Sequence, residues 1–311
     1  MSYANNVRAA LGNMVRTPGP IKALAAAPGN GPAPAVHSPK KRIQLPVVNG
    51  TAPEFSIISI IDQWLVQQDQ TIRIEVAFKF RGPRSTGVFH ASECTKEQVC
   101  LREMAYGVYG APGIRHVDDA RILRIFDNGH FTHARLESYI IAAVHSVKGK
   151  AWNELSYAPD EKLRSGTADI GMILWGWPYL IEIKSIKRSG FEALGAEADP
   201  DHVGQLNQYM GISGVKAGFV LYENKDTQDL REYFVRYDHE RWLANEQNVV
   251  DPVLAHVEAG TLPDKITEED GCRMDWCQHY DYCKRRSGSK WLPTPQNIAL
   301  LRERSTHEDQ G

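Results

Sequence analysis

No stretch of the 311-residue chain approaches the run of roughly 20 apolar residues that a membrane-spanning helix needs. The first residues also lack the charged, apolar and cleavage regions of a secretory signal, so a cytoplasmic protein is expected. Charge of one sign is lacking too. With 36 Lys plus Arg against 38 Asp plus Glu, bulk charge neither announces nor excludes a nucleic-acid partner, and any positive groove has to be local. Cysteine is scarce. Its five residues are an odd number, and Cys272, Cys277 and Cys283 crowd into one short stretch, which suits metal ligation in a reducing compartment better than a disulfide framework. There is no internal repeat. What is plentiful is apolar residues, 42% of the chain, enough to fill the core of one large domain or of a domain with an accessory part.

Residues 1–53 are rich in Ala, Pro and Gly and show no sustained apolar period, the pattern of a flexible arm. Its basic triplet Lys40-Lys41-Arg42 serves solubility or, alternatively, touches phosphate. Residues 54–90 read as an N-terminal addition, with a short helix over 56–68 and a strand over 71–80 that alternates Ile72, Ile74, Val76, Phe78 and Phe80. A helix capped by Ser92 is expected to carry Cys94, Cys100, Arg102 and Tyr106. A longer helical region over 117–147 is expected to break near Asp127-Asn128-Gly129, and its second half puts His133, Glu137 and Ile141 on one face. Strands are expected over 151–157, 163–175 and 178–185. A helix then opens at Asp199-Pro200 and runs to about 212, and strands return over 217–223 and 230–237. The order is that of an α/β protein with a mixed central sheet flanked by helices.

The chemistry centres on 166–184, where two apolar runs flank Trp175-Gly176-Trp177-Pro178 as a hairpin. If Trp175 and Gly176 form a two-residue turn, Asp169 stands opposite Glu182, with Glu182 and Lys184 on one face and Ile181 and Ile183 on the other. A four-residue turn would instead pair Asp169 with Lys184. Facing carboxylates repel, so they need a cation between them or a proton on one of them. A hard divalent metal fits, and Lys184 beside it is suited to orient water or stabilise charge at an attacked phosphorus. The alternative is a purely structural ion-pair cluster. A histidine on a helix, like Glu137 one turn on, is ordinarily structural, and so is a half-buried Tyr209.

Asp169, then Glu182-Ile183-Lys184, then Gln205-Leu206-Asn207-Gln208-Tyr209 resembles the motif series of the PD-(D/E)XK nucleases, specifically their RecB-like branch. His133 resembles the histidine that branch carries on a helix before the sheet. The resemblance covers about 92–283 and implies a restriction-endonuclease-like nuclease domain over 91–290, with a tail over 291–311. It further implies Mg(II) or Mn(II) on His133, Asp169, Glu182 and the Ile183 carbonyl, with Lys184 assisting attack by metal-activated water. Gln205 and Tyr209 would contact DNA.

The three C-terminal cysteines make an incomplete tetrahedral set. Cys100 resembles the upstream cysteine of those RecB-like nucleases that hold a [4Fe-4S] cluster, among them AddB and the CRISPR-adaptation nucleases. Cys100, Cys272, Cys277 and Cys283 would then clasp the two ends of the nuclease domain. Four residues separate Cys272 from Cys277 where two are more usual, which keeps Zn(II) open as the less favoured occupant. His279 is a substitute ligand, and Cys94 reads as a small buried apolar residue.

The resemblance implies a DNA exonuclease of recombination, repair or phage DNA metabolism, in host-cell cytoplasm if phage-encoded, with a recombination or replication protein as a further partner. The alternatives are a structure- or site-specific endonuclease on the same core, or a DNA-end-binding module without turnover. Intact Asp169, Glu182 and Lys184 weigh against the last.

Overall fold

The computed structural model of the protein describes residues 55–68, 74, 86–96, 98–111, 113, 120–266, 272 and 277–284. The arm over 1–53 with its basic triplet, the strand expected over 71–80 (Ile74 apart) and the tail over 291–311 lie outside the described residues.

Helix α1 (Ile57–Leu65) precedes strand β1 (Phe89–His90), α2 (Ala91–Cys94), α3 (Leu101–Val108) and α4 (Ala120–Ser146). Strands β2 (Lys150–Tyr157), β3 (Arg164–Leu174) and β4 (Trp177–Ile186) follow, then α5 (Arg188–Ala193), α6 (Pro200–Ser213), β5 (Ala217–Asn224) and β6 (Leu230–Arg236). The chain continues through α7 (His239–Asn245), a π-helical turn (Glu246–Val250), α8 (Asp251–Glu258) and α9 (Tyr280–Lys284). The sheet is mixed: β2, β3 and β4 are antiparallel neighbours, β4 and β5 run parallel, β6 returns antiparallel to β5, and β1 pairs parallel with the start of β3. The order α4, β2-β3-β4, α6, β5 gives the mixed central sheet flanked by helices that the sequence indicates. Among the described residues no helix is long and apolar enough to cross a membrane.

Alternation along the strands divides the core. Ile170, Met172, Ile181 and Ile183 face α1 and α4, burying Leu136, Ile140, Ile57 and Ile61 with them. On the other side Leu180, Val220 and Tyr222 meet Leu206, Tyr209 and Met210 of α6. Ile181 and Ile183 are fully buried, a contribution of about 1.5–3 kcal/mol each. Helix α1 is therefore part of the main core, although the sequence reads its segment as an addition.

Two helix expectations are corrected. The helix begun at Ala91 ends at Cys94 instead of running on through Cys100. Thr95 Oγ1 donates back to the Ala91 carbonyl at 2.8 Å, and Asn245 Nδ2 takes the Cys94 carbonyl at 2.6 Å, so the chain turns and restarts with Cys100 as the N-cap of α3. Helix α4, conversely, runs unbroken through Asp127-Asn128-Gly129. A mid-helix Gly costs only about 1 kcal/mol, which the burial of Leu136, Ile140, Ala143 and Val144 further along outweighs.

Helix α6 forms as expected. Asp199 caps it, accepting from the Asp201 amide at 2.9 Å with Pro200 in the first turn, and Gly214 ends it at φ 74°. Its Tyr209 ring lies over Gly166 at the start of β3, where a Cβ would stand 2.4 Å from Tyr209 Cε1. The ring is 4% exposed and has nowhere to withdraw. Gly166→Ala is therefore expected to destabilise the protein by about 1–3 kcal/mol, read as a lower urea midpoint at unchanged slope.

Candidate active site

Trp175 at φ 52° and Gly176 at φ 89° form a two-residue turn of the kind that matches hairpin twist. Leu174 pairs with Trp177 and Ile170 with Ile181, so the same register sets Asp169 opposite Glu182. Backbone pairing of β3 with β4 stops at Ile170, and there Asp169 Oδ2 accepts the Ile183 amide at 2.6 Å. The opening between the strands is thus lined by side-chain oxygens.

Glu182 is 2% exposed. Its Oε1 lies 2.7 Å from Lys184 Nζ, while Oε2 is buried and, among the described residues, has no hydrogen-bond partner. Burial first, and the charge of Asp169 second, push its carboxyl up to about 7 against the pull of Lys184. An orphaned buried carboxylate oxygen is costly and uncommon, and a cation would satisfy it.

Helix α4 brings two further donor groups to Asp169. His133 Nδ1 stands 3.4 Å from Asp169 Oδ1 and 4.0 Å from Glu137 Oε1. Asn153 on β2 donates to Glu137 Oε2 at 3.0 Å, fixing a carboxyl that burial and then the charge of Asp169 raise to about 7. Burial alone would disfavour a charged His133, but the hydrogen bond to Asp169 and the charges of Asp169, Glu137 and Glu182 win, and its pKa rises. Donor atoms of His133, Glu137 and Asp169 lie within 4.8 Å of one another, a group that could hold a metal ion. A hard divalent ion fits this oxygen-rich set.

These shifts fix a sign. Glu137 and Glu182 bind protons more tightly folded than unfolded, so between pH 4.5 and about 7 their contribution to stability falls as pH rises. His133, also raised, gives up its contribution as pH climbs through its folded pKa. Chelated protein should therefore show a melting temperature that drops over this window, and Mn(II) should raise it and flatten the drop. A drop unaffected by Mn(II) would deny these carboxyls a cation.

Lys184 is held from two sides. Besides Glu182 it donates to Gln205 Oε1 at 3.0 Å, and Gln205 Nε2 donates to the Tyr209 hydroxyl at 3.0 Å. Gln205 and Tyr209 are 9% and 4% exposed, so the Tyr209 ring is closed to stacking, and their hydrogen bonds aim the ammonium of Lys184. Spacing along α6 makes both visible in sequence. Glu137 was visible too, four residues after His133, yet nothing in the sequence joins it to Asn153 or Asp169.

All five cysteines are free thiols. Cys94 is core, donating to the Ala91 carbonyl. Burial raises the Cys100 thiol, and the charge of Cys283 adds to it; burial also raises Cys277, with Glu103 and Cys100 adding. Cys100, Cys272, Cys277 and Cys283 are each half-buried. His279, 3% exposed, packs beside the rings of Tyr106 and Tyr282, with centroids 5.5 Å and 6.4 Å away, and among the described residues its buried Nδ1 has no hydrogen-bond partner. Among the described residues the group of three or more His, Cys, Asp or Glu donor atoms within 4.8 Å of one another is His133, Glu137 and Asp169, so the cysteines and His279 are not brought together as a ligand set in this structure.

No family model matches the sequence, and no curated protein does. Among solved structures the chain is similar to an alkaline exonuclease, LHK-Exo from Laribacter hongkongensis, at 14% identity and TM-score 0.42, covering 66% of this chain and 95% of that one. It is similar to LHK-Exo in complex with dAMP at 15% identity, TM-score 0.43 and the same coverage. Similarity to SSO0001 is at 15% identity and TM-score 0.35, covering 62% and 82%.

Proposed function

We propose that the protein is a metal-dependent deoxyribonuclease of the PD-(D/E)XK type. The observation that carries this reading is the hairpin register, which stands Asp169 opposite Glu182 beside Lys184 and leaves Glu182 Oε2 buried without a donor among the described residues. Asp169, Glu182, His133, Glu137 and the Ile183 carbonyl would hold Mg(II) or Mn(II). When bound, such an ion supplies Lewis acidity toward the phosphate and makes water nucleophilic near neutral pH.

The chain's own residues do the rest. Asn153 keeps Glu137 oriented, and the Ile183 amide does the same for Asp169. Gln205 and Glu182 hold the Lys184 ammonium beside the carboxylates, where it offsets charge that grows on the phosphoryl oxygens under attack. The pre-formed bonds to Lys184 mean that little reorganisation is needed at the moment of reaction.

The motif resemblance points to the RecB-like branch and to exonucleolytic action in recombination, repair or phage DNA metabolism, with DNA as the macromolecular partner. End-labelled linear DNA and closed circular DNA, each with Mn(II) or with chelator, test this. Label released from linear DNA only with Mn(II), circles left intact, supports the exonuclease. Opened circles favour the endonuclease, and uncut DNA in every arm overturns the reading.

On the same resemblance, Cys100, Cys272, Cys277 and Cys283 would hold a [4Fe-4S] cluster tying the start of α3 to the segment around α9. Protein purified without oxygen should be brown with about four irons per chain. Cys100→Ser should lose the colour and melt lower, and Cys94→Ser should do neither. Stoichiometric zinc without iron or sulfide would replace the cluster with a zinc clasp, in which the His279 nitrogen becomes a candidate ligand.

A further inference from the structure

The mechanism above leaves unused a second bridge between α6 and the sheet. His202 lies one turn before Gln205, and the spacing of His202, Gln205 and Tyr209 puts all three on one face of the helix. Gln205 reaches Lys184 on β4. His202 reaches Tyr222 on β5, the residue in register with Lys184, with Nδ1 2.8 Å from the Tyr222 hydroxyl. The two bridges stand side by side, one ending on the ammonium beside the carboxylates and the other on a fully buried phenol.

The second bridge leaves the imidazole in a defined state. The Asp199 amide donates to the Tyr222 hydroxyl oxygen at 3.1 Å, so the hydroxyl hydrogen is free to go to His202 Nδ1. Burial keeps Tyr222 protonated by raising its pKa. Burial, then the Lys184 charge, holds His202 down to about 4 despite Asp199 and Asp201 nearby, so the ring is neutral. A neutral ring that accepts at Nδ1 carries its hydrogen on Nε2. The side chain is 26% exposed, so the ring is not sealed into the core as Tyr209 is.

We propose that His202 is a substrate-binding residue of the same site, donating from Nε2 to a phosphodiester oxygen next to the phosphate under attack. This rests on the nuclease reading. A phosphate oxygen has only lone pairs to offer and takes a fixed N–H well. A second cation here would repel Lys184, whereas a neutral donor contributes a directed bond without that cost. Tyr222 serves as a positioning residue that fixes the tautomer and the ring.

The test uses the full chain and a fluorescent oligonucleotide duplex. Affinity is measured by anisotropy with Ca(II) in place of Mn(II), and kcat and KM are measured with Mn(II). His202→Ala is expected to weaken binding and raise KM about tenfold in parallel, with kcat within about twofold, the size of one hydrogen bond to a charged group. His202→Gln, which keeps an N–H donor, should recover to within about threefold of the wild type. Tyr222→Phe, which frees the ring, should weaken binding by about threefold. A folded His202→Ala protein with unchanged Kd and KM overturns the proposal, and so does one whose kcat falls at unchanged Kd. Should the alanine variant fail to fold, unchanged affinity in Tyr222→Phe together with an affinity in His202→Gln as weak as non-specific binding overturns it. Wild-type protein that neither binds nor cuts DNA overturns the nuclease reading instead.

Discussion

Asp169→Asn and Glu182→Gln are each expected to reduce cleavage on the order of 10³-fold or more while the protein stays folded and still binds DNA. The reason lies in what the two carboxylates share. They face one another across the point where β3 and β4 part, with a buried Glu182 oxygen that no donor among the described residues satisfies. Removing one negative charge removes a ligand and lessens repulsion of phosphate, so DNA affinity should hold or increase. Relieving like-charge repulsion between half-buried Asp169 and buried Glu182 should also raise the melting temperature of the chelated protein. Single-turnover assays beside anisotropy separate the two effects. Wild-type turnover in either variant would remove these residues from the chemistry.

Lys184→Ala is expected to lower the single-turnover rate about 10²–10³-fold at saturating Mn(II), with Mn(II) affinity retained. An ammonium ligates no cation, so its loss falls on the transition state. Its removal also takes the Lys184 ion pair from Glu182 Oε1, which should push that carboxyl further up and shift the rate's pH dependence to higher pH. Full rescue by added Mn(II) would mean that Lys184 only assisted metal binding. Gln205→Leu, which frees the ammonium from one side, should show a smaller loss of the same kind.

The parts of this site that were legible in the sequence are those governed by short-range rules. A two-residue Trp175-Gly176 turn dictates the register of Asp169 and Glu182 through the strand period alone. Asp199-Pro200 announces α6 and hence the common face of His202, Gln205 and Tyr209. What was not legible depends on contacts between distant segments. Asp127-Asn128-Gly129 has the look of a break, but helix cooperativity and the burial of the following turns carry α4 through it. The stop after Cys94 depends on Asn245, some 150 residues away in sequence. Glu137 is an unremarkable helix carboxylate until β2 brings Asn153 and β3 brings Asp169 to it. Helices α7 and α8 are not read from the sequence, although Asp238 at the N-cap of α7 and Pro252 in the first turn of α8 are signals of the kind that mark α6.

The central claim, that this carboxylate cluster is a divalent-cation site, is tested most directly by calorimetric titration of Mn(II) into the full-length protein and its Asp169→Asn variant near pH 7, in buffers of different ionisation enthalpy. The account predicts saturable binding by the wild type with release of protons, since Glu137 and Glu182 are held near half-protonation until a cation arrives. It predicts that the binding and the proton release are lost together in Asp169→Asn. Identical heats from the two proteins, or binding without proton release, would contradict it.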